Sequence, residues 1–394
     1  MFRSPFFKAY GFWHWGEGLQ TVLFTWYMTF HAGLSATQIG FYQALVLSPF
    51  LVFTIFGGAL TDRIGAGRSY VLSTSAFAMI LIAYGAAESA FGFVPQLFFA
   101  YCIGAGIVSA ISNPAIDTFI PEATKQPVQD NSLLAANAHN IAKLTGNLSG
   151  LALPLLTAMG GFVANGLLML LSVLFLRRHH RHTARTGHPP ARPDRHVWHR
   201  IRDHYRACPE NFDILLASAM LGLIIVPAGY ILVPLTLRAR FPDQGDLMAL
   251  LGIASWIGAI GATLLAKRLS ARMARPGAVS LAIWGLYGVG ILTLTQVGSF
   301  AALCLTVCAF GTVKVGKALV YGKYLHNCPT PARGVLVAVD QTAFWGLATL
   351  GTAGMGALVD QMGLEPTIVL ASGLVLTCVT VLALRGHLPI LQQA

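Results

Sequence analysis

Apolar residues run through this chain in long blocks, separated by short polar breaks. A helix needs about 20 mostly apolar residues to cross a bilayer core. Twelve such blocks are legible, at roughly 8–32, 37–60, 69–90, 93–117, 131–157, 160–176, 212–237, 247–266, 277–296, 300–325, 334–358 and 365–384. Lipid offers the backbone no hydrogen-bond partner, so spanning segments are helices or closed barrels. Barrel strands alternate over about 10 residues, and these continuous runs do not. The pattern predicts an all-α membrane protein with twelve transmembrane helices. The fifth block, NSLLAANAHNIAKLTGNLSGLALPLL, is the most polar. Only a short stub precedes the first block, without a cleavage pattern, so that span is expected to be retained.

Composition agrees. The chain is 55% hydrophobic and 10% charged, against about 25% charged in a soluble domain; it lacks the polar side chains to cover a water-facing surface. If the N-terminus is cytoplasmic, the inner loops hold Arg63, Lys125, the run from Arg177 to Arg206, Lys267, Arg268, Arg272, Arg275 and Arg333. The outer loops hold only Arg238 and Arg240. This is the positive-inside pattern, and it predicts an inner-membrane protein with both termini cytoplasmic. The net charge of +11 is then largely topological, and nucleic-acid binding is not expected. Cys102, Cys208, Cys304, Cys308, Cys328 and Cys378 are scattered with no C-x-x-C pair, so neither a disulfide framework nor a metal site is expected.

The polar run RRHHRHTARTGHPPARPDRHVWHRIRDHYR at 177–206 leaves six blocks on each side. Its composition reads as a cytoplasmic linker near lipid headgroups, with a surface helix from Val197 to Cys208. Its seven histidines show no metal-ligand spacing. The expected organisation is a six-helix bundle at 1–176, a basic linker at 177–210 and a second bundle at 211–394. The halves echo each other: GGALTDRIGAGR follows the second block and GATLLAKRLSAR the eighth. Paired six-helix repeats are a common transporter architecture.

Gly58-Ala59-Leu60-Thr61-Asp62-Arg63-Ile64-Gly65, with Arg68 shortly after, resembles motif A of the major facilitator superfamily. The resemblance implies that Gly58, Asp62, Arg63, Gly65 and Arg68 form a gating turn. Charge and position make Asp117 and Glu122, at the cytoplasmic end of the fourth block, the candidate partners for Arg63. Within the superfamily, residues 113–150 resemble drug- and siderophore-exporter-like members. Gly146-Asn147-Leu148-Ser149-Gly150 stands where antiporters carry G-P-x-x-G-G, with Asn147 replacing the proline and Leu151 the last glycine. The fourth block lacks the arginine that many proton-linked antiporters place there. The resemblance implies a secondary transporter, most readily a proton-coupled exporter, with uptake of an organic anion as the alternative.

Ionisable groups deep in lipid cost about 2.5–3.5 kcal/mol each on insertion scales, so those present invite explanation. The apolar blocks contain Glu17, Asp117, Lys143, Lys314, Lys317, Lys323 and Asp340. Lys314 and Lys317 are three apart, neighbours on one helix face near mid-membrane. In the fold that the resemblance implies, they and Lys143 line a central cavity from opposite halves. One reading is an anion site for a carboxylate-bearing solute, built from Lys143, Lys314, Lys317, Glu17, Gln20, Asn140 and Tyr321. The other pairs the lysines with Glu17 and Asp340 as structural ion pairs. Glu17, Asp117 and Asp340 are the candidate proton carriers. His14 and His139 are polar neighbours, and Lys323 is close enough to the inner surface to snorkel.

No G-x-x-x-x-G-K-[ST] sequence occurs, which points away from ATP-driven transport. No catalytic constellation and no cofactor motif is recognisable, so the chain is not expected to be an enzyme. A monomer with a small-molecule substrate, protons and membrane lipids as its partners is the expectation. A sensor with a degenerate transporter fold is the less favoured reading.

Overall fold

The computed structural model describes residues 4–117, 119–120, 123–124, 128–180, 197–269, 274–329 and 333–390. Among them all regular structure is helical: α1 Pro5–Trp26, α2 Ala36–Ile64, α3 Ala66–Phe91, α4 Pro95–Asp117, α5 Val128–Ser149 and α6 Leu153–His180. The linker contributes α7, Val197–Ala207. There follow α8 Pro209–Met220, α9 Val233–Arg240, α10 Met248–Leu269, α11 Pro276–Thr293, α12 Phe300–Gly311, α13 Val313–Asn327, α14 Arg333–Gln341, α15 Leu347–Met362 and α16 Leu364–Arg385.

Nine helices among the described residues are long and apolar enough to cross a membrane on length and composition alone. One of these runs, Asn137–Arg177, contains two crossings, because the backbone breaks at Thr157 with φ 62°. The helices α1 and α2 supply the others, for twelve in all. Lys8, His14, Glu17 and Gln20 make α1 more polar than a typical span, and the same residues build its chemistry. Several spans are pieced together from shorter helices: α8 joins α9 through wide π-helical turns at Leu221–Ile225 and Ala228–Leu232, and α14 joins α15 through another at Thr342–Gly346. A fourth π turn, Tyr27–His31, extends α1.

The chain divides into two units, and the division differs from the expected one. The first holds 1–34, 45–191 and 245–252; the second holds 35–44, 192–244 and 253–394. The boundary thus falls inside the linker, and each unit takes in a short piece from the other half of the sequence. In the first unit α1 packs against α5 and α6, and α3 against α4 and α6. Its core is aromatic: Tyr27, Tyr84, Phe98 and Phe162 are all buried and their rings touch. In the second unit α11 packs against α13 and α16, and α15 against the Leu221–Ile225 turn. There the first turn of α2 is capped by Asp360, whose carboxylate accepts from the Ala36 and Thr37 amides at 3.2 and 2.8 Å.

The turn after α2 contains Gly65 at φ 87°, a left-handed conformation that a side chain would strain, so glycine is needed there. Arg68 is exposed one turn into α3. The side chains of Gly58, Asp62 and Arg63 lie outside the described residues, as do Glu122, Lys125 and linker residues 181–196.

Candidate functional site

In the first unit, α1 and α5 cross almost backbone to backbone. A Cβ at Gly18 would stand 2.5 Å from the Lys143 carbonyl oxygen, and one at Gly146 would collide with the Trp15 carbonyl. Two glycines therefore bring the helices closer than side chains permit. This closeness presents Glu17 to α5. Its Oε2 lies 3.0 Å from Lys143 Nζ and 2.6 Å from His14 Nδ1, one turn back on α1. His14 is buried, its ring 4.2 Å from that of His139 on α5 and 4.3 Å from that of Tyr10. Its Nε2 has no hydrogen-bond partner among the described residues. The Tyr10 hydroxyl hydrogen-bonds Asp117, which sits exposed at the end of α4. Asn147 Nδ2 donates to the Lys143 carbonyl at 2.9 Å, a bond made within α5.

The second unit holds a similar pair. Lys317 Nζ on α13 lies 3.1 Å from Asp340 Oδ2 on α14. The other oxygen of Asp340 accepts from Ser218 on α8 at 2.5 Å. Asp340 is wholly buried and the Lys317 side chain is 20% exposed. The Lys317 ammonium also lies over Phe344, 4.3 Å from the ring centroid, and 5.6 Å from that of Tyr321. Lys314 turns elsewhere: its ammonium rests over Trp256 of α10 at 3.7 Å, a cation–π contact. The adjacent lysines of span ten thus diverge to different helices, which relieves the repulsion their spacing implies. Lys323 is half-buried lower on α13.

Of the other expected site residues, Gln20 turns into the first unit's core. Its amide donates to the Tyr101 hydroxyl and its carbonyl accepts from Asn165. Asn140 is half-buried on α5, one turn before Lys143. Tyr321 stacks on Tyr324, ring centroids 5.7 Å apart. Ser218 and Trp256 were not foreseen, because their contacts join distant segments and neither residue type is unusual in a span. Among the described residues no group of His, Cys, Asp and Glu side chains is arranged to hold a metal ion.

Each deep ammonium therefore already has a partner, two a carboxylate and one an indole. A pair of opposite charges 3 Å apart is nearly neutral to its surroundings. Neutralising or displacing one member leaves the other an uncompensated charge.

Residues 7–352 match the Major Facilitator Superfamily. A staphyloferrin A transporter of Staphylococcus aureus (strain NCTC 8325 / PS 47) is 23% identical over 279 residues, covering 68% of this chain and 66% of that relative. Among solved structures, the POT family transporter PepTSo superposes with a TM-score of 0.76 at 13% identity, covering 97% of each chain. The nucleoside transporter NupG, as a mutant, gives 0.71 at 12% identity, over 97% of this chain and 98% of its own. These structures share the fold across nearly the full length despite low identity. The match spans most of the chain and establishes the family: this chain belongs to the Major Facilitator Superfamily.

Proposed function

We propose that the chain is a proton-coupled secondary transporter of a small, carboxylate-bearing solute, acting as a monomer in an inner membrane with both termini cytoplasmic. The observation that carries this reading is that Lys143 and Lys317 each hold a carboxylate of the protein at about hydrogen-bond distance. A solute carboxylate competes for the same ammonium. It gains access when the protein's own carboxylate takes up a proton, because the neutral acid no longer holds the lysine. Proton and anion then favour each other's binding, and the coupling is reciprocal. Glu17 and Asp340 are the proton carriers in this scheme. Asp117, exposed and bonded to Tyr10, is the group that exchanges protons with water in this scheme. Such positive coupling moves proton and solute in the same direction.

Export by exchange is the second reading. The glycine arrangement at 146–150, similar to that of antiporters, favours it, while the staphyloferrin A transporter relative bears on the solute and not on the direction. The two readings differ in one sign. Purified protein is reconstituted into liposomes containing pyranine and loaded with staphyloferrin A, then with other carboxylates in turn. Solute leaving with a proton makes the interior more alkaline; solute leaving in exchange for a proton makes it more acidic. A carboxylate that crosses with no pH change in either direction would sink proton coupling. A panel that crosses only as uncharged or cationic solutes would sink the anion reading.

A further inference from the structure

We propose that His204 on the linker helix α7 is a proton-operated latch, which holds α7 against the rest of the second unit when neutral and releases it when protonated. The proposal is independent of the transport reading above, since it concerns only the linker and the helix ends it touches.

The hydrogen-bond logic around Asn211 carries the argument. Asn211 is fully buried at the start of α8. Its Nδ2 faces three atoms: the Tyr324 carbonyl at 3.2 Å, Cys328 Sγ at 3.8 Å and His204 Nε2 at 2.9 Å. Its Oδ1 accepts from Asn327 Nδ2 at 3.2 Å. Asn327 in turn donates to Glu210 Oε1 at 3.0 Å. A carboxylate only accepts, so Glu210 orients the Asn327 amide. Asn327 then fixes Asn211 with its NH2 toward the carbonyl and the imidazole. No flip of either amide improves matters. His204 Nε2 is consequently obliged to accept, which only the neutral imidazole protonated on Nδ1 does. A proton added at Nε2 would set N–H against N–H inside a closed, desolvated contact.

The same helix makes one further attachment. The Tyr324 hydroxyl donates to the Leu336 carbonyl of α14 at 2.7 Å, so Tyr205 of α7 donates to Tyr324 at 2.9 Å. The latch therefore gathers α7, α8, α13 and α14 at one end of the second unit. Among the described residues, the charged or titratable groups facing it are Glu210 from α8, Tyr324 and Cys328 from α13 and the residue after it, Tyr205 of α7 itself, and Asp340 of α14, which acts on the two tyrosines. Of these, Glu210 favours a proton on His204, and it lies beyond two amides. Asp203, Arg202 and Arg206 of α7 are exposed. Burial holds the His204 imidazole below its usual range, with Glu210 opposing in part.

The sign follows by linkage. The undocked helix binds the proton near the ordinary histidine range, about 6.5, and the docked helix binds it less well. Docking is then fully stable above that pH and weakens as pH falls below it. If the docked imidazole takes no proton at all, the docking constant falls about tenfold between pH 7.5 and 5.5.

Hydrogen–deuterium exchange of residues 201–207, corrected for the intrinsic pH dependence of exchange, measures this on the purified full chain. Wild type should show protection that drops by up to about tenfold across that pH step. His204→Gln keeps an acceptor oxygen for Asn211 but takes no proton, and should show no drop. Tyr205→Phe should be less protected at both pH values yet keep the same drop, so the test survives if His204→Gln fails to dock. Constant protection in wild type, or an equal drop in His204→Gln, would overturn the proposal.

Discussion

Lys317→Gln offers the sharpest test of the deep pair in the second unit. The substitution leaves Asp340 wholly buried with only the Ser218 hydroxyl as a partner. Removing one member of a buried ion pair costs about 3–5 kcal/mol, because the remaining charge is stranded. The Lys317 side chain is 20% exposed and Ser218 still donates, so the lower end, about 3 kcal/mol, is appropriate. For a unit of roughly 200 residues this lowers the melting temperature by about 6–12 °C. Lys317→Gln with Asp340→Asn removes both charges and leaves two amides able to bond each other and Ser218. It should regain about 2 kcal/mol of the loss, so the double-mutant cycle shows strong coupling. The assay is thermal unfolding of purified variants, followed by solute binding on those that remain folded. If the pair also serves an anion, the double variant should bind the solute roughly ten- to hundred-fold less tightly although its stability has returned. Identical melting temperatures for wild type and Lys317→Gln, or a double variant no more stable than the single, would refute the buried pair.

Three further outcomes are expected. Gly146→Ala should lower the melting temperature and impair transport, since the new methyl meets backbone on α1; overpacking of this kind costs about 1–3 kcal/mol, and a fully stable, active variant would contradict the close crossing. Asp62→Asn should fold and bind solute normally but turn over slowly, measured as flux against binding, because motif A is expected to bias one conformation over the other; unchanged flux would leave the turn a mere orientation signal. A cysteine at Gly187 should be labelled by impermeant thiol reagents only from the cytoplasmic side, and labelling of intact cells would reverse the topology.

The twelve spans were legible because bilayer thickness imposes a length and composition that any sequence must display. The piecewise construction of spans was not, since π turns arise from how helices pack and leave no periodic mark. That the deep lysines pair with Glu17 and Asp340 is one of two readings the sequence offers, because buried charges have few places to go; that Lys143 rather than a span-ten lysine takes Glu17 is known only from the fold. Which of the adjacent lysines takes Asp340 depends on how α13 is rotated, a tertiary property. His14 illustrates the middle case. Its spacing of three from Glu17 puts the two on one helix face, yet only the fold shows that His139 and Tyr10 close around it. The amide chain from Glu210 to His204 was invisible, because its members are ordinary polar residues brought together from α7, α8 and α13.

The wide turns carry a mechanical consequence. Each inserts one residue beyond the α-helical repeat, so the residues that follow are rotated by about 100° relative to an unbroken helix. Two such inserts touch: the Phe344 carbonyl lies against Gly222, in the Leu221–Ile225 turn. An insert of this kind is able to travel along a helix by exchanging hydrogen bonds one at a time, without the helix ever coming apart. Asp340 thus stands just before an insert that sets the rotation of everything after it in the span, so the facing of α15 is fixed relative to the buried ion pair by one extra residue.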